Sequence, residues 1–285
     1  MRRKGIKKCR MQDSEEGVAT TVGTIMALLI FLSIFSLITQ QYVPVWMEDN
    51  EAYHMDEAKS QFAQMKGNID SLILNNYKNY PTYTSIKLGS EGIPMFAEET
   101  YGVISLESSW GDTDKGMNIS FSHNANDYSF SASGNISINV LNRYFEQQSL
   151  IYEYGAIILK QGDDSLLRAS PPISVNEVGD DRYNIQISII DLVGDDSRHG
   201  GAGSVGVTAK LLSRSRSTFS SIDDGFTFSL DTEYPQAWAN WFNESTDLSS
   251  DNITTNGNLV EIDLGPNNIS EIQVTSSKVE VDIQG

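Results

Sequence analysis

Residues 18–47, VATTVGTIMALLIFLSIFSLITQQYVPVWM, contain no Asp, Glu, Lys or Arg. No other feature limits the possible folds of this chain so strongly. As a helix, residues 18–42 reach about 37 Å, enough to cross a hydrocarbon layer of about 30 Å. A secretory signal peptide has a shorter apolar region that ends in a small-residue cleavage site. Here the apolar core, residues 22–39, runs into TQQYVPVW with no A-x-A pattern. Tyr42 and Trp46 fall where interfacial aromatic residues gather. Pro44 lacks the N–H that would bond the carbonyl of Gln40, so a bend or break is expected just outside the membrane. The span reads as kept, not removed.

Charge divides at this span. Six of the 20 basic residues and three of the 38 acidic ones precede Val18, so the chain from Val18 onward carries a net −21. Lys and Arg favour the cytoplasmic side, which places residues 1–17 inside as a leader and the acidic remainder outside. Phosphates would repel so acidic a domain, and nucleic acid is excluded as a partner. The one cysteine, Cys9, follows MRRKGIKK rather than an apolar stretch, so it does not read as a lipid attachment site. The outer part has no disulfide and is expected to rest on an ordinary core, insensitive to reductant.

Outside the span, residues 48–79 read as a helix. Met55, Phe62 and Ile69 recur every seven residues, and so do Ala58, Met65 and Leu72, which makes one narrow apolar stripe. The stripe is short for a coiled coil, and Glu48 and Glu51 continue its register with charge. It is therefore expected to dock on the chain's own sheet. Beyond Pro81 the period becomes two. In YSFSASGNISINV, residues 128–140, Tyr128, Phe130, Ala132, Gly134, Ile136, Ile138 and Val140 alternate with Ser and Asn, which predicts one strand bent at Gly134. Residues 156–169 predict a hairpin turning at Gly162, and further strands are expected at 183–193, 205–212, 226–231, 259–264, 271–275 and 278–283. Pro235 opens a predicted turn of helix over Trp238, Trp241 and Phe242. The expected fold class is α+β: a transmembrane helix over 18–47, an amphipathic outer helix over 48–80, and an antiparallel β-sandwich over 81–285.

Chemistry-bearing patterns are few. His54, His123 and His199 have no Cys or regular acidic partner near them in sequence and read as surface histidines, with no metal spacing or triad. GAGSVG, residues 201–206, matches a glycine fingerprint for dinucleotides, but SVGVTAKLL continues as a strand rather than opening a helix, so it reads as a flexible hairpin loop. Asp112 and Asp114 are spaced like the start of a calcium loop without its remaining ligands, and the Asp-Asp pairs at 163, 180, 195 and 223 read as solvated turns. No cofactor, metal site or enzyme signature is expected. Five N-x-S/T sequons, at Asn118, Asn135, Asn243, Asn252 and Asn268, are candidate glycan acceptors. Asn118 and Asn135 fall on the polar faces of predicted strands, where a glycan would stand in solvent.

SEEG followed by VATTVGTIMALLIFL resembles the N-terminus of archaeal type IV pilin-like proteins with class III signals. The resemblance implies cleavage between Gly17 and Val18 by a prepilin peptidase, leaving a mature chain that begins with its membrane helix. An uncleaved signal anchor is the alternative. LGSEGIPMF at 88–96, IYEYGAIILKQGDD at 151–164 and SPP at 170–172 look like an archaeal family of pilin-like secreted proteins of unassigned function, which carries over no catalytic residues. The function expected is a pilin-like, non-enzymatic surface protein. Its partners would be membrane lipid, the peptidase and identical or related subunits, and it would sit in the cell membrane with an extracellular C-terminal domain or in a surface filament. The alternatives are a monomeric membrane-anchored binding or adhesion module and, behind it, a secreted hydrolase.

Overall fold

The structure, a computed structural model, describes residues 12–109, 116–179, 182–220, 222, 225–266 and 268–285. Asp112, Asp114 and the Asp pairs beginning at 180 and 223 lie wholly or partly outside the described residues, as does the leader before Gln12. The described residues open with a helix, α1 (Gln12–Leu37), which passes through one wide turn of π-helix (Ile38–Tyr42) into α2 (Val43–Asn75). Residues 18–75 form 58 continuous helical residues, about 87 Å of helix.

The helix does not break at Pro44. In the wide turn the Val43 N–H bonds Ile38 O, five residues back, and Pro44 follows at the first turn of α2. The missing N–H falls where the hydrogen-bond ladder has already been reset. The outer end comes four residues earlier than the pattern suggests. Asn76 adopts a left-handed conformation (φ 54°), its N–H bonds Ile73 O, and Tyr77 N–H bonds Leu72 O at 3.0 Å. These bonds cap the last turn and close the helix.

Among the described residues, sixteen strands form three sheets. The first holds, in order, β1 (Pro81–Lys87), β12 (Ser204–Ser220), β16 (Ile269–Gln284), β10 (Arg182–Val193) and β9 (Ile173–Gly179). The second holds β11 (Ser197–Gly201), β2 (Gly102–Glu107), β5 (Asn135–Val140), β6 (Gln148–Glu153), β7 (Ala156–Gln161) and β8 (Asp164–Ala169). The third holds β14 (Ile253–Asn256), β15 (Leu259–Leu264), β13 (Phe226–Asp231), β3 (Met117–His123) and β4 (Asn126–Ala132). Pairing is antiparallel except between β10 and β16, which run parallel, so the all-antiparallel expectation is corrected there. The helix opened by Pro235 is α3 (Pro235–Ser245).

Two cores hold this head together. One gathers the stripe of α2 with Ile86 of β1, Ile136 and Ile138 of β5, Leu150 and Tyr152 of β6, Val207 of β12 and Val281 of β16. The other gathers the third sheet and α3 with Ile151, Ile185, Ile187, Ile272 and Val274. Along β10, Ile185, Ile187 and Ile189 serve the second core, while Ile190 and Leu192 serve the first. Because side chains alternate faces along a strand, the two cores lie on opposite faces of the first sheet. β6 and β7 are buried on both faces, which is why IYEYGAIIL is apolar at nearly every position and shows no two-residue alternation.

Candidate functional site

The surface that most needs a partner is the helix before the head. Its most apolar 18-residue window has mean hydropathy 2.4 and none of it is buried. Val18, Ile25, Leu29, Phe31 and Phe35 all stand in the open. Side chains of this kind exposed over about five turns of helix are not stable in water, and the helix is long and apolar enough to cross a bilayer. Gly17 and Val18 both lie inside α1, so the bond between them is part of a helix. Tyr42 and Trp46 are exposed at the end of the apolar stretch nearest the head, with their rings 6.0 Å apart.

Directly beyond that point the same helix becomes fully committed to the head. Met47, Met55, Ala58, Phe62, Met65, Ile69 and Leu72 are all at most 1 % exposed. The docked stripe starts earlier than the heptad pattern suggests, at Val43 and Met47, and it includes a charge. Glu51 is completely buried. Its carboxylate accepts the backbone N–H groups of Arg143 (3.1 Å to each oxygen), Tyr144 (2.8 Å) and Phe145 (2.6 Å). Three donors of the turn after β5 thus converge on one side chain of α2, which is how a buried carboxylate is tolerated. One turn further on, His54 is 1 % exposed, not at the surface as its lack of partners in sequence suggests. Its Nε2–H donates to Lys87 O at 2.9 Å, and burial holds the imidazole below its ordinary pKa, hence neutral. Gln61 accepts the Lys87 N–H at 2.9 Å, so both backbone groups of the last residue of β1 are tied to α2. The one sequence signal for Glu51 is its place four residues after Met47 and four before Met55.

Other polar groups have structural explanations. Asp196, fully exposed at a surface cleft of about 490 Å³, accepts Ser108 N–H and Oγ–H at 2.7 Å each and Ser109 Oγ–H at 3.3 Å. These bonds hold it below the usual carboxylate range, so it has no proton to give near neutrality. His123 is half-buried with its ring 5.8 Å from Phe219. His199 is half-buried on β11, an edge strand where the sequence suggests a loop. GAGSVG is not a hairpin: Ala202 and Gly203 carry the chain from β11 in the second sheet to β12 in the first, and Gly203 O accepts Leu88 N–H. The Asp163–Asp164 pair lies at the β7–β8 turn, and both residues are exposed. Among the described residues, no three His, Cys, Asp or Glu side chains gather to share a metal ion.

The sequon asparagines differ in access. Asn243 is exposed on α3, while Asn118, Asn252 and Asn268 are half-buried. Asn135 is 7 % exposed and its side-chain oxygen has no partner, so the expectation that it stands in solvent is corrected. The cause is the change of sheet at Ser133 and Gly134, which sends β5 between β2 and β6 instead of extending β4.

The fold and this site define an α+β protein: a bare apolar N-terminal helix continued, without interruption, into a largely antiparallel β-rich head. The chain belongs to the family of unknown function DUF7289, whose model matches residues 17–284. No curated protein and no solved structure matches it.

Proposed function

We propose that the chain is a pilin-like cell-surface subunit of the archaeal kind, held by its N-terminal helix with the head outside. The observation that carries this reading is the division of one continuous helix. Its first half presents uncharged and mostly apolar side chains to its surroundings, and its second half has its apolar stripe buried under the head. A helix so divided suits either lipid or a bundle of like helices, and the head travels with it as a rigid load. The family match starting at residue 17 is consistent with a leader outside the family's common part. The head is read as sandwich-like around α2, with the first and second sheets both contributing to the core that holds the stripe. Of the sequons, Asn243 has the most open position for a glycan.

Mass spectrometry of the native N-terminus tests the processing. A chain beginning at Val18 is expected, and Gly17→Asp should leave the precursor uncut by placing a charge beside the scissile bond. Native protein still starting at Met1, or beginning beyond residue 40, overturns it. Mechanical shearing of cells tests the assembly. A filament subunit appears in the sheared fraction, whereas a monomeric anchored module stays with the membrane.

A further inference from the structure

The segment 88–100, LGSEGIPMFAEET, leaves β1 and runs back along the helix toward the membrane. Its neck is closed by Ser90 and Thr100, both buried: Ser90 N–H donates to Thr100 Oγ1 at 2.9 Å, and Thr100 N–H to Ser90 O at 3.1 Å. Asn50 of α2 donates to Glu91 O at 3.3 Å, which fixes the descending arm against the helix. At the tip, Ile93 and Ala97 exchange N–H···O bonds of 2.9 Å, and Phe96 N–H returns to Ile93 O at 3.0 Å. Pro94 has no N–H to satisfy. Three of the N–H groups of the tip, those of Ile93, Phe96 and Ala97, are thus met within the loop itself, which lowers the cost of moving it out of water.

The side chains of the tip are apolar and open. Met95 is 100 % exposed with φ 69°, and Phe96 is 39 % exposed. The Phe96 ring lies 6.0 Å from that of Phe35, inside the uncharged span. Phe35 precedes Tyr42 by seven residues and Trp46 by eleven, about 10 and 16 Å along the helix on its membrane side. Residues 92–97 carry no charge, and Glu91, Glu98 and Glu99 bracket them, all exposed. Carboxylates so placed stop a loop from sinking deeper than its apolar tip.

We infer that residues 92–97 form a second membrane contact, with Met95 and Phe96 inserted in the outer leaflet of the bilayer that the helix crosses. The inference rests on the anchoring reading. Its partner is lipid rather than protein because the tip is continuous with the bare span through the Phe35–Phe96 contact and sits deeper than the aromatic pair Tyr42 and Trp46. The loop thereby fixes the height of the head above the membrane.

The test uses the full chain carrying Cys9→Ser, reconstituted in phosphatidylcholine–phosphatidylglycerol vesicles. Single cysteines placed by Met95→Cys, Leu32→Cys and Asp163→Cys are each labelled with a small fluorophore. A nitroxide on the lipid chains should quench the labels at 95 and 32 at least about threefold more than the label at 163, which lies on a water-exposed turn. If the label at 32 is quenched while that at 95 behaves like that at 163, the loop is in water and the inference fails while anchoring stands. If the label at 95 is shielded from aqueous iodide yet insensitive to the lipid quencher, a protein surface covers the loop and the inference fails in favour of a second copy. If the label at 32 also behaves like that at 163, the anchoring reading fails and this inference with it.

Discussion

The indole N–H of Trp238 donates to Oε1 of Glu153 at 2.7 Å, joining the first turn of α3 to the end of β6 inside the core. Thr232 donates to the same oxygen at 2.6 Å. The two bonds do not offset the water lost around a fully buried carboxylate. Burial, against the pull of those bonds and with the nearby Glu233 and Asp231, pushes Glu153 up to about 7.

That shift has a direction in pH. The group's ordinary value is 4.5, so between about 4.5 and 7 the folded state holds a proton that the unfolded chain has released. The stabilisation is complete below about pH 4.5 and is lost as pH rises through about 7, for a total of about 3 kcal/mol. Glu153→Gln stays neutral throughout and still accepts from Trp238 and Thr232. In urea unfolding at pH 5 and pH 8, the variant should gain about 2–3 kcal/mol on the natural chain between the two. Parallel stabilities would mean that Glu153 is ionised in the fold at both pH values.

Glu51 bears on a different junction. Removing its carboxylate by Glu51→Ala leaves the partly buried N–H groups of Arg143, Tyr144 and Phe145 without their acceptor. A loss of about 2–4 kcal/mol is expected, since three donors lose a charge-assisted acceptor and water reaches them only in part. Glu51→Gln keeps one accepting oxygen and should lose less. Thermal unfolding gives the order, and limited proteolysis should show residues 141–147 cut first in the Ala variant. Equal stability of all three chains would show that the turn finds other acceptors.

How much of this was legible in the sequence depended on whether one environment or two surrounded a segment. The β13 and β15 strands alternate against a single core, and their bounds, Phe226–Asp231 and Leu259–Leu264, match the pattern at both ends. β16 faces both cores. Ile272 and Val274 point to one and Val279, Val281 and Ile283 to the other, so its period slips at Ser276 and Ser277 and it reads as two strands. β11 and β14 are edge strands, too polar for an apolar alternation to mark them. The bare span was plain because thirty residues without a charge, 18–47, need no partner to be noticed. The clamp was not: Glu51 gains its meaning from a turn that lies more than ninety residues away.

Gly134 marks the place where an unbroken alternation hides a change of sheet. Its φ is +94°, and a Cβ there would stand 2.7 Å from Leu192 Cβ and 2.9 Å from Leu192 O. Leu192 is itself fixed, its N–H bonding Ser133 O at 3.0 Å. Gly134→Ala should therefore cost about 2–4 kcal/mol, from backbone strain and overpacking together. Denaturant unfolding measures it. No loss, or a gain of about 0.4–1 kcal/mol as at a site whose backbone suits Ala, would mean that the crossover relaxes freely.

The last prediction separates a helix that serves its own head from one that joins two subunits. Phe62 is 0 % exposed in the middle of the α2 stripe, in the same core as Ile86, Ile138 and Val207. The stripe is thus already covered within one chain, and nothing of it remains for a coiled coil. Phe62→Ala should lower stability by about 3–5 kcal/mol, the cost of the lost ring and the cavity left behind. Phe62→Asp would bury an unpaired carboxylate and should unfold the head outright. A chain cut to residues 48–285 keeps the stripe from Glu51 onward and loses the bare span. By size exclusion with light scattering it should be a monomer. A stable dimer that Phe62→Asp converts to folded monomers would show instead that the stripe holds subunits together and that the docking of α2 on its own sheets is not what closes the core.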